Sequence, residues 1–392
     1  MRRITGAVQH YAWGSPTAIP TLLGLPVTEQ PVAEYWLGAH PSAPSIVDGV
    51  ALDSLLDDEP EVLGEGSISR YGARLPYLMK LLAAAQPLSL QAHPSRAQAE
   101  EGFAREEADN IPITAFARTY KDDWPKPETI IALTEFHGLC GFRDPARTAE
   151  LFAAIGAPVE SITGPLVQRR GSAALAEVFL DVLSLDGDRM SLVTEVLDGA
   201  RAHADDEGEV GEFARTALEL DAFFPGDKGI VAALLMNRFV LQPGEGMFLP
   251  AGIMHAYMRG LGVEVMANSD NVLRGGLTSK HIDVEQLLTV VDFSPSPATA
   301  MPTNDLGHGV RQYEAEAEEF AVWSIDLGAE PVDVPGSGAR ILLVVEGSAE
   351  ATANGDSMAL DQGQAALVAD GETVQVTGQG RAFVAGPGSR SV

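Results

Sequence analysis

Three short stretches far apart in the chain, residues 89–93, 126–128 and 255–257, place metal-binding or proton-handling side chains two positions apart. A spacing of two is the period of a β-strand, so each set projects from one face of its strand. If the three strands lie side by side, two imidazoles, one carboxylate and one amide oxygen can converge on a divalent metal ion. The candidate ligands are Gln91, His93, Glu128 and His255.

The elements that must position these ligands are predicted to be mainly short strands. Residues 1–143 and 225–300 mix short apolar runs with glycine and proline, which is typical of β-structure, and we assign both to one catalytic domain. An Ala-, Glu- and Arg-rich stretch predicts a short helical insert at about residues 96–117. Residues 144–224 are predicted to form a helical subdomain, since an aspartate precedes a proline at its start and apolar residues recur at helical spacing.

Residues 244–255 predict a strand, a tight turn and a second strand, because two glycines lie eight positions apart and a proline precedes the second. This stretch resembles the second sequence motif of the cupin jelly roll, in which the residue matching His255 is a metal ligand. A degenerate copy at 363–371 has Val374 in place of that histidine. We therefore predict a mainly β fold of two cupin jelly rolls plus the helical subdomain, with residues 301–392 as the jelly roll that lacks metal ligands.

Composition limits the partners of the chain. The 392 residues include 26 Lys and Arg against 55 Asp and Glu, a net charge of −29, which argues against nucleic acid or anionic membrane as a partner. No apolar run approaches the roughly 18 residues of a membrane span, and residues 1–6 carry charge with no apolar stretch behind them. Cys140 is the sole cysteine, so no intrachain disulfide can form and a cytoplasmic location is expected. No heptad run is visible, and a monomer is compatible with the sequence.

Six motifs, in the same order, make the chain similar to the type I mannose-6-phosphate isomerase family. They are residues 11–15 (YAWGS), 36–41 (WLGAHP), 88–94 (LSLQAHP), 126–128 (KPE), the 244–255 motif and 264–280 (EVMANSDNVLRGGLTSK). In that family the positions that match the four candidate ligands hold zinc, so the resemblance implies one Zn²⁺ per chain. It is weakest in the helical segment and after about residue 300.

The reaction that the resemblance implies is the reversible interconversion of mannose 6-phosphate and fructose 6-phosphate through an enediol. Zinc would polarise the sugar carbonyl and hydroxyl. Among the residues that match the family's cleft, Arg274 is expected to stabilise the enediolate charge, and Glu264 or a zinc-bound hydroxide is a candidate base. The expected substrate contacts are Ser89, Lys126, Tyr257 and Lys280, and phosphate recognition is expected to fall to Ser89, Lys126, Arg274 and Lys280.

Two other functions fit parts of the pattern. Another metal-dependent cupin enzyme, such as an iron oxygenase, would also use two histidines and a carboxylate. A non-catalytic sugar-phosphate sensor would keep the pocket but not the turnover. The Gln91 position and the cluster from Arg274 to Lys280 suit an anionic sugar better than dioxygen chemistry. Structural roles are expected for the remaining histidines, which are His10, His40, His137, His203, His281 and His308.

Overall fold

Strands dominate both ends of the chain in the computed structural model, which describes residues 1–157, 160–169 and 171–388. Up to residue 300 the strands are β1 (Arg2–Thr5), β2 (Ala7–Gln9), β3 (Glu34–Leu37), β4 (Ile46–Val47), β5 (Val50–Ala51), β6 (Tyr77–Ala84), β7 (Leu90–Ala92), β8 (Glu128–Ala132), β9 (Phe136–Phe142), β10 (Met236–Leu241), β11 (Gly246–Leu249), β12 (His255–Ala267) and β13 (Leu273–Gly276). Beyond it they are β14 (Thr303–Gly307), β15 (Val310–Tyr313), β16 (Ala321–Leu327), β17 (Val332–Asp333), β18 (Arg340–Ala353), β19 (Asp356–Asp361), β20 (Ala365–Val368) and β21 (Gln375–Gly386).

Helices lie mostly in the middle of the chain, as the sequence predicts. They are α1 (Ala18–Leu22), α2 (Leu52–Asp58), α3 (Glu65–Tyr71), α4 (Arg96–Ala108), α5 (Pro145–Ala154), α6 (Glu160–Gln168), α7 (Ser172–Leu183), α8 (Ser191–His203), α9 (Gly208–Phe223), α10 (Gly229–Leu234) and α11 (Val284–Val290), with 3-10 turns at Pro60–Val62 and Gly187–Met190. The mainly β fold with a helical segment is thus confirmed. Within the described ranges, no helix is both long and apolar enough to cross a lipid bilayer.

The predicted insert at 96–117 is one helix, α4, and it is shorter than expected. A capping box begins it, since the Ser95 hydroxyl accepts from the Gln98 amide while the Gln98 side chain accepts from the Ser95 amide. The helix ends at Ala108, and Asn110 then adopts a positive φ of 55°, a conformation that cannot continue a right-handed helix. The chain from 109 to 117 runs in turns and irregular structure.

Strand β12 organises the half of the molecule that carries the candidate ligands. Its first part pairs with β7 and β9, and its second part pairs with β6 and β8. The change of partners occurs at Gly260, where φ is +130° and an added Cβ would lie 2.8 Å from the Glu135 carbonyl oxygen. Only glycine fits such a backbone position without strain. One continuous strand therefore contributes side chains to two differently paired parts of the same sheet.

The other sheet is antiparallel, with the order β14-β15-β16-β21-β18-β20-β1-β4-β5. Its strands come mostly from residues beyond 300, but β1 pairs with β20 in the register Arg3↔Ala366, and β4 pairs with β1. The first strand of the chain is thus hydrogen-bonded into the C-terminal sheet. The division into domains at 143, 224 and 300 stays a prediction. Strand pairing crosses the last of these boundaries, since β1 lies in the sheet formed mostly by residues beyond 300.

Two apolar cores join the candidate catalytic half to the C-terminal sheet and to the helical segment. Alternate residues of β6, such as Tyr77 and Met79, share a core with Leu343 and Phe383 of the C-terminal sheet. The helical segment packs against β9, β10 and β13 in a second core. Because β6 is buried on both faces, all eight of its residues are buried, and its sequence is almost continuously apolar.

Candidate metal centre and cleft

Three buried side chains, each at or next to the end of a different strand, meet inside the catalytic half. His93 follows the end of β7, Glu128 begins β8, and His255 begins β12. One potential ligand atom from each lies within 4.8 Å of the others. Glu128 Oε1 is 3.3 Å from His93 Nε2, and Glu128 Oε2 is 3.2 Å from His255 Nε2. The exposed fractions are 1%, 2% and 1%, so the group is shielded from bulk water.

Hydrogen bonds on the far side of each ring orient the two imidazoles. His93 Nδ1 donates to the Asn271 carbonyl oxygen at 2.7 Å, and His255 Nδ1 donates to the Ile253 carbonyl oxygen at 2.9 Å. Each Nε2 therefore presents a lone pair to the centre. Among the described residues, these Nε2 atoms and Glu128 Oε2 have no hydrogen-bond partner. Buried polar atoms are seldom left unpaired, and two imidazole nitrogens with a carboxylate oxygen fit a zinc-type ion.

Burial and nearby charge set the protonation of these ligands. Burial lowers the pKa of His93 to about 4, which keeps its imidazole neutral near pH 7. Burial alone would raise the pKa of Glu128, but the Lys126 ammonium, 3.0 Å from Oε1, and the imidazoles of His93 and His255 together outweigh that effect and hold the pKa well below its ordinary value. Neutral imidazoles and an ionised carboxylate are the forms that bind a metal cation.

The strand register aligns Gln91 with this centre. Gln91 lies directly opposite His255 on β12 and directly opposite Arg274 on β13. Directly opposed residues in an antiparallel pair project from the same face. A single row across three strands therefore carries Arg274, Gln91 and His255. The Gln91 side chain also lines the adjoining cleft.

That cleft has a volume of about 680 Å³ and holds most of the predicted substrate contacts. Ser89, Lys126, Arg274 and Lys280 all line it. Lys126 links the cleft to the centre through its ion pair with Glu128. Among the described residues, no carboxylate lies within 4.0 Å of the Arg274 or Lys280 head group. The cleft wall thus carries two cationic head groups, those of Arg274 and Lys280, that are available to bind an anion.

The structure places Glu264 and Tyr257 behind the wall of the cleft instead of in it. Glu264 is 2% exposed, and burial raises the pKa of its carboxyl group even though Lys80 partly opposes the shift. The Tyr257 hydroxyl is buried without a hydrogen-bond partner among the described residues, and its ring packs edge-on against Phe136. Neither residue lines the cleft, so a ligand that reached them would have to pass their neighbours.

Lys80 is the cleft residue that the sequence analysis missed. Its ammonium lies 2.9 Å from Glu264 Oε2 and 3.4 Å from Glu34 Oε1, above the ring of Trp36. Burial alone would lower the pKa of Lys80, but the two carboxylates outweigh burial and raise it. Lys80 and Glu34 both line the cleft. A single lysine inside the apolar run 77–84 is the sequence signal that could have drawn attention to it.

His40, for which a structural role was expected, also lines the cleft. Its Nε2 lies 3.3 Å from Asp270 Oδ1, while its Nδ1 accepts from the Ser42 amide at 3.3 Å. The hydrogen bond from His40 is the main reason that the pKa of Asp270 is lowered. Asp270 lines the same cleft, so an ionised carboxylate is held there by a buried imidazole.

Asn271 joins the metal centre to the segment that carries Lys126. Its carbonyl oxygen holds His93, while its side-chain oxygen accepts from the Lys121 amide at 2.7 Å. Its side-chain nitrogen donates to the carbonyl oxygens of Asp122 and Trp124. Asn271 is fully buried, so these bonds are protected from water. It had no predicted role, and only its place inside the 264–280 motif marked it.

The fold and the site define a sheet-rich protein with a buried ligand set for a divalent metal beside a cation-lined cleft. A family model, phosphomannose isomerase type I, catalytic domain, matches residues 1–145. Mannose-6-phosphate isomerase of Escherichia coli (strain K12) is 38% identical over 390 residues, which cover 97% of this chain and 98% of that protein. Mannose-6-phosphate isomerase 1 of Arabidopsis thaliana is 30% identical, with 91% and 88% covered.

Solved structures agree with this match along nearly the whole chain. A crystal structure of mannose 6-phosphate isomerase bound with zinc and yttrium has a TM-score of 0.91 at 36% identity and covers 99% of this chain and 100% of that one. The apo form from Salmonella typhimurium gives the same score and identity, with 99% of each chain covered. This chain belongs to the type I phosphomannose isomerase family.

Proposed function

We propose that the protein interconverts mannose 6-phosphate and fructose 6-phosphate with one zinc ion per chain. The observation that carries the proposal is the buried trio of His93, Glu128 and His255, whose ligand atoms face one another without hydrogen-bond partners among the described residues. The relatives named above are mannose-6-phosphate isomerases, and one of the matched crystal structures is a zinc-bound form. Both findings support the same reaction and the same metal.

The residues proposed to hold zinc are the same trio with Gln91. Support for Gln91 comes from its register opposite His255 and from its place in the cleft wall. When bound, zinc supplies Lewis-acid polarisation of the sugar carbonyl and hydroxyl, which is worth several kcal/mol of transition-state stabilisation in order of magnitude. The Nδ1 hydrogen bonds of His93 and His255 fix the rings for this task before the metal arrives.

Proton transfer between two neighbouring sugar carbons needs a base and a group that stabilises the enediolate. Arg274 is proposed as that stabiliser, since its guanidinium lines the cleft in the same row as Gln91. Glu264 is proposed as the base, and the Lys80 ammonium, which lines the cleft 2.9 Å from the Glu264 carboxylate, favours the ionised form of that carboxylate. Tyr257 is proposed as a substrate contact on the strength of its unpaired buried hydroxyl.

The phosphoryl group of the substrate needs local positive charge in a chain whose net charge is −29. Lys126, Arg274 and Lys280 supply three cationic head groups along the cleft, and Ser89 adds a hydroxyl. Charge-assisted hydrogen bonds from such groups are about twice as strong as neutral ones. These four residues are proposed to bind the phosphate.

We also propose that the protein is a cytoplasmic monomer without nucleic acid or membrane partners. The net charge of −29 supports the exclusion of polyanionic partners. Cys140 is buried and is the sole cysteine of the sequence, which suits a reducing compartment. Sedimentation equilibrium measures the mass in solution, and a value of twice 41.4 kDa would contradict the monomer.

The test of the reaction is the appearance of fructose 6-phosphate from mannose 6-phosphate with purified protein. We expect turnover that a chelator abolishes and zinc restores. His203→Ala removes an imidazole from α8 in the helical segment, away from the metal centre. As a control for the loss of a histidine elsewhere, this variant should keep both its turnover and its zinc content. Absence of turnover in zinc-loaded protein would contradict the isomerase function and favour a sensor that binds the sugar phosphate without chemistry.

A further inference from the structure

A second pocket of about 280 Å³ opens beside the cleft and shares Arg274 and Lys280 with it. We call this pocket the annex. The chargeable residues that line it are Arg118, Lys121, Arg274, Lys280, His281 and Asp283. Cations outnumber acids in the annex, although acids outnumber cations by about two to one in the whole chain.

Internal hydrogen bonds fully occupy one cation and the sole acid of the annex. Arg118 donates to the Tyr120 and Ile111 carbonyl oxygens and forms ion pairs with Glu106 and Glu107. Asp283 accepts from the Gln286 amide at the start of α11 and from the Thr119 hydroxyl. Glu106 and Glu107 therefore balance the charge of Arg118. Asp283 keeps its negative charge, but within the described part of the chain it forms no ion pair with the remaining cations.

The other cations have no acidic partner. Among residues 1–157, 160–169 and 171–388, no carboxylate lies within 4.0 Å of Lys121, Arg274 or Lys280. The Lys121 ammonium donates to the Ile113 carbonyl oxygen at 2.5 Å. Burial, followed by the like charges of Arg274 and Lys121, lowers the pKa of Lys280. Three like charges held close together are costly unless an anion joins them.

The main chain of Lys121 is fixed relative to the strand that carries Arg274. Its amide donates to the side chain of buried Asn271, three residues before Arg274. Its ammonium is also held by the Ile113 carbonyl oxygen, so Lys121 is already ordered before a ligand arrives, which lowers the entropic cost of binding. A loose surface lysine would lack this anchor.

We propose that the annex is a second anion subsite, centred on Lys121, that binds a phosphoryl group next to the one bound in the cleft. The phosphoryl group is either free inorganic phosphate or the second phosphate of a sugar that carries one at each end. The inference rests on the proposed function to the extent that Arg274 and Lys280 serve both subsites.

Equilibrium dialysis with radiolabelled inorganic phosphate tests the subsite on the full zinc-loaded chain. We expect two phosphates per chain, of which mannose 6-phosphate displaces one. In Lys121→Met the affinity for the other phosphate should fall at least tenfold, and Lys121→Arg should restore it. Arg311→Gln makes the same change in net charge on β15 and should bind both phosphates as the unaltered chain does. Circular dichroism checks that each variant is folded.

The outcomes separate the two sources of phosphate and the two proposals. Mannose 1,6-bisphosphate should displace both phosphates if the annex accepts a sugar-borne group, and one if the annex takes free phosphate. A single phosphate per chain, fully displaced by mannose 6-phosphate, would overturn the second subsite, as would two phosphates that Lys121→Met leaves unaffected. Failure of the isomerase proposal would give a different result, in which turnover is absent while two phosphates still bind per chain.

Discussion

Replacement of Lys80 by methionine should destabilise the protein strongly, because it leaves two buried carboxylates without their cation. Lys80, Glu34 and Glu264 are exposed by 6%, 6% and 2%, and the two ion-pair distances are 3.4 and 2.9 Å. Removal of one partner from a buried ion pair costs about 3–5 kcal/mol. Glu34 keeps its hydrogen bond from the Trp36 indole, so most of the cost should arise at Glu264.

The same variant should show a distinctive pH dependence. Burial already raises the pKa of Glu264, and the loss of Lys80 removes the charge that opposes this shift. The folded variant then binds protons that the unfolded chain, with an ordinary glutamate pKa of about 4.3, does not bind. The free energy of unfolding must therefore fall as pH rises. We expect the deficit relative to the unaltered chain to be small at pH 5 and largest at pH 8.

Urea unfolding followed by far-ultraviolet circular dichroism at pH 5, 6.5 and 8 measures this deficit. Lys80→Met combined with Glu264→Gln should recover more than half of the lost free energy at pH 8, because the second change removes the unpaired charge. Arg311→Gln is the control for a changed net charge. A deficit below about 1 kcal/mol, equal at all three pH values, would refute the inference that Lys80 stabilises the buried, ionised carboxylates of Glu34 and Glu264.

Three further outcomes test the site and the architecture. Glu128→Gln should lower zinc content to well below one per chain by mass spectrometry of the metal, and full zinc content would refute its role as a ligand. Arg274→Ala should keep zinc while kcat falls about 10²- to 10³-fold, the effect expected when one charge stabiliser is lost, whereas an unchanged kcat would contradict that role. Deletion of residues 301–392 should abolish cooperative unfolding, since β1 loses its partner β20 and the Tyr77 hydroxyl loses both of its carbonyl acceptors; a stable, active truncated protein would contradict this.

Local patterns in the sequence predicted the elements around the metal centre well. The glycine and proline spacing in 244–255 corresponds to β11, a turn with Gly252 at φ +82°, and β12. In the degenerate copy, β20 and β21 flank the corresponding turn, and Val374 is buried in an apolar core instead of facing a metal. Turn chemistry and strand period are local properties, so a single sequence reveals them.

Local sequence patterns could not predict strand pairing between distant residues or the partners of a buried charge. The pairing of β1 with β20 joins residues more than 350 positions apart, and no local signal specifies it. Lys80 looked like part of a core strand because its seven neighbours in β6 are apolar. Its partners Glu34 and Glu264 come from different strands, and only the register of β3, β6 and β12 brings them together. Asn271 escaped notice for the same reason, since its partners are distant in sequence.

Strand β12 connects the metal centre to the ion pair between Lys80 and Glu264. His255 and Glu264 both belong to β12, on either side of Gly260. In the first part the register sets His255 beside Gln91, and in the second part it sets Glu264 beside Lys80. A straight strand would place residues nine apart on opposite faces and roughly 30 Å from end to end. The register shift between Tyr257 and Arg259 interrupts this regular alternation, and the one strand supplies both a metal ligand and the partner of a cleft lysine.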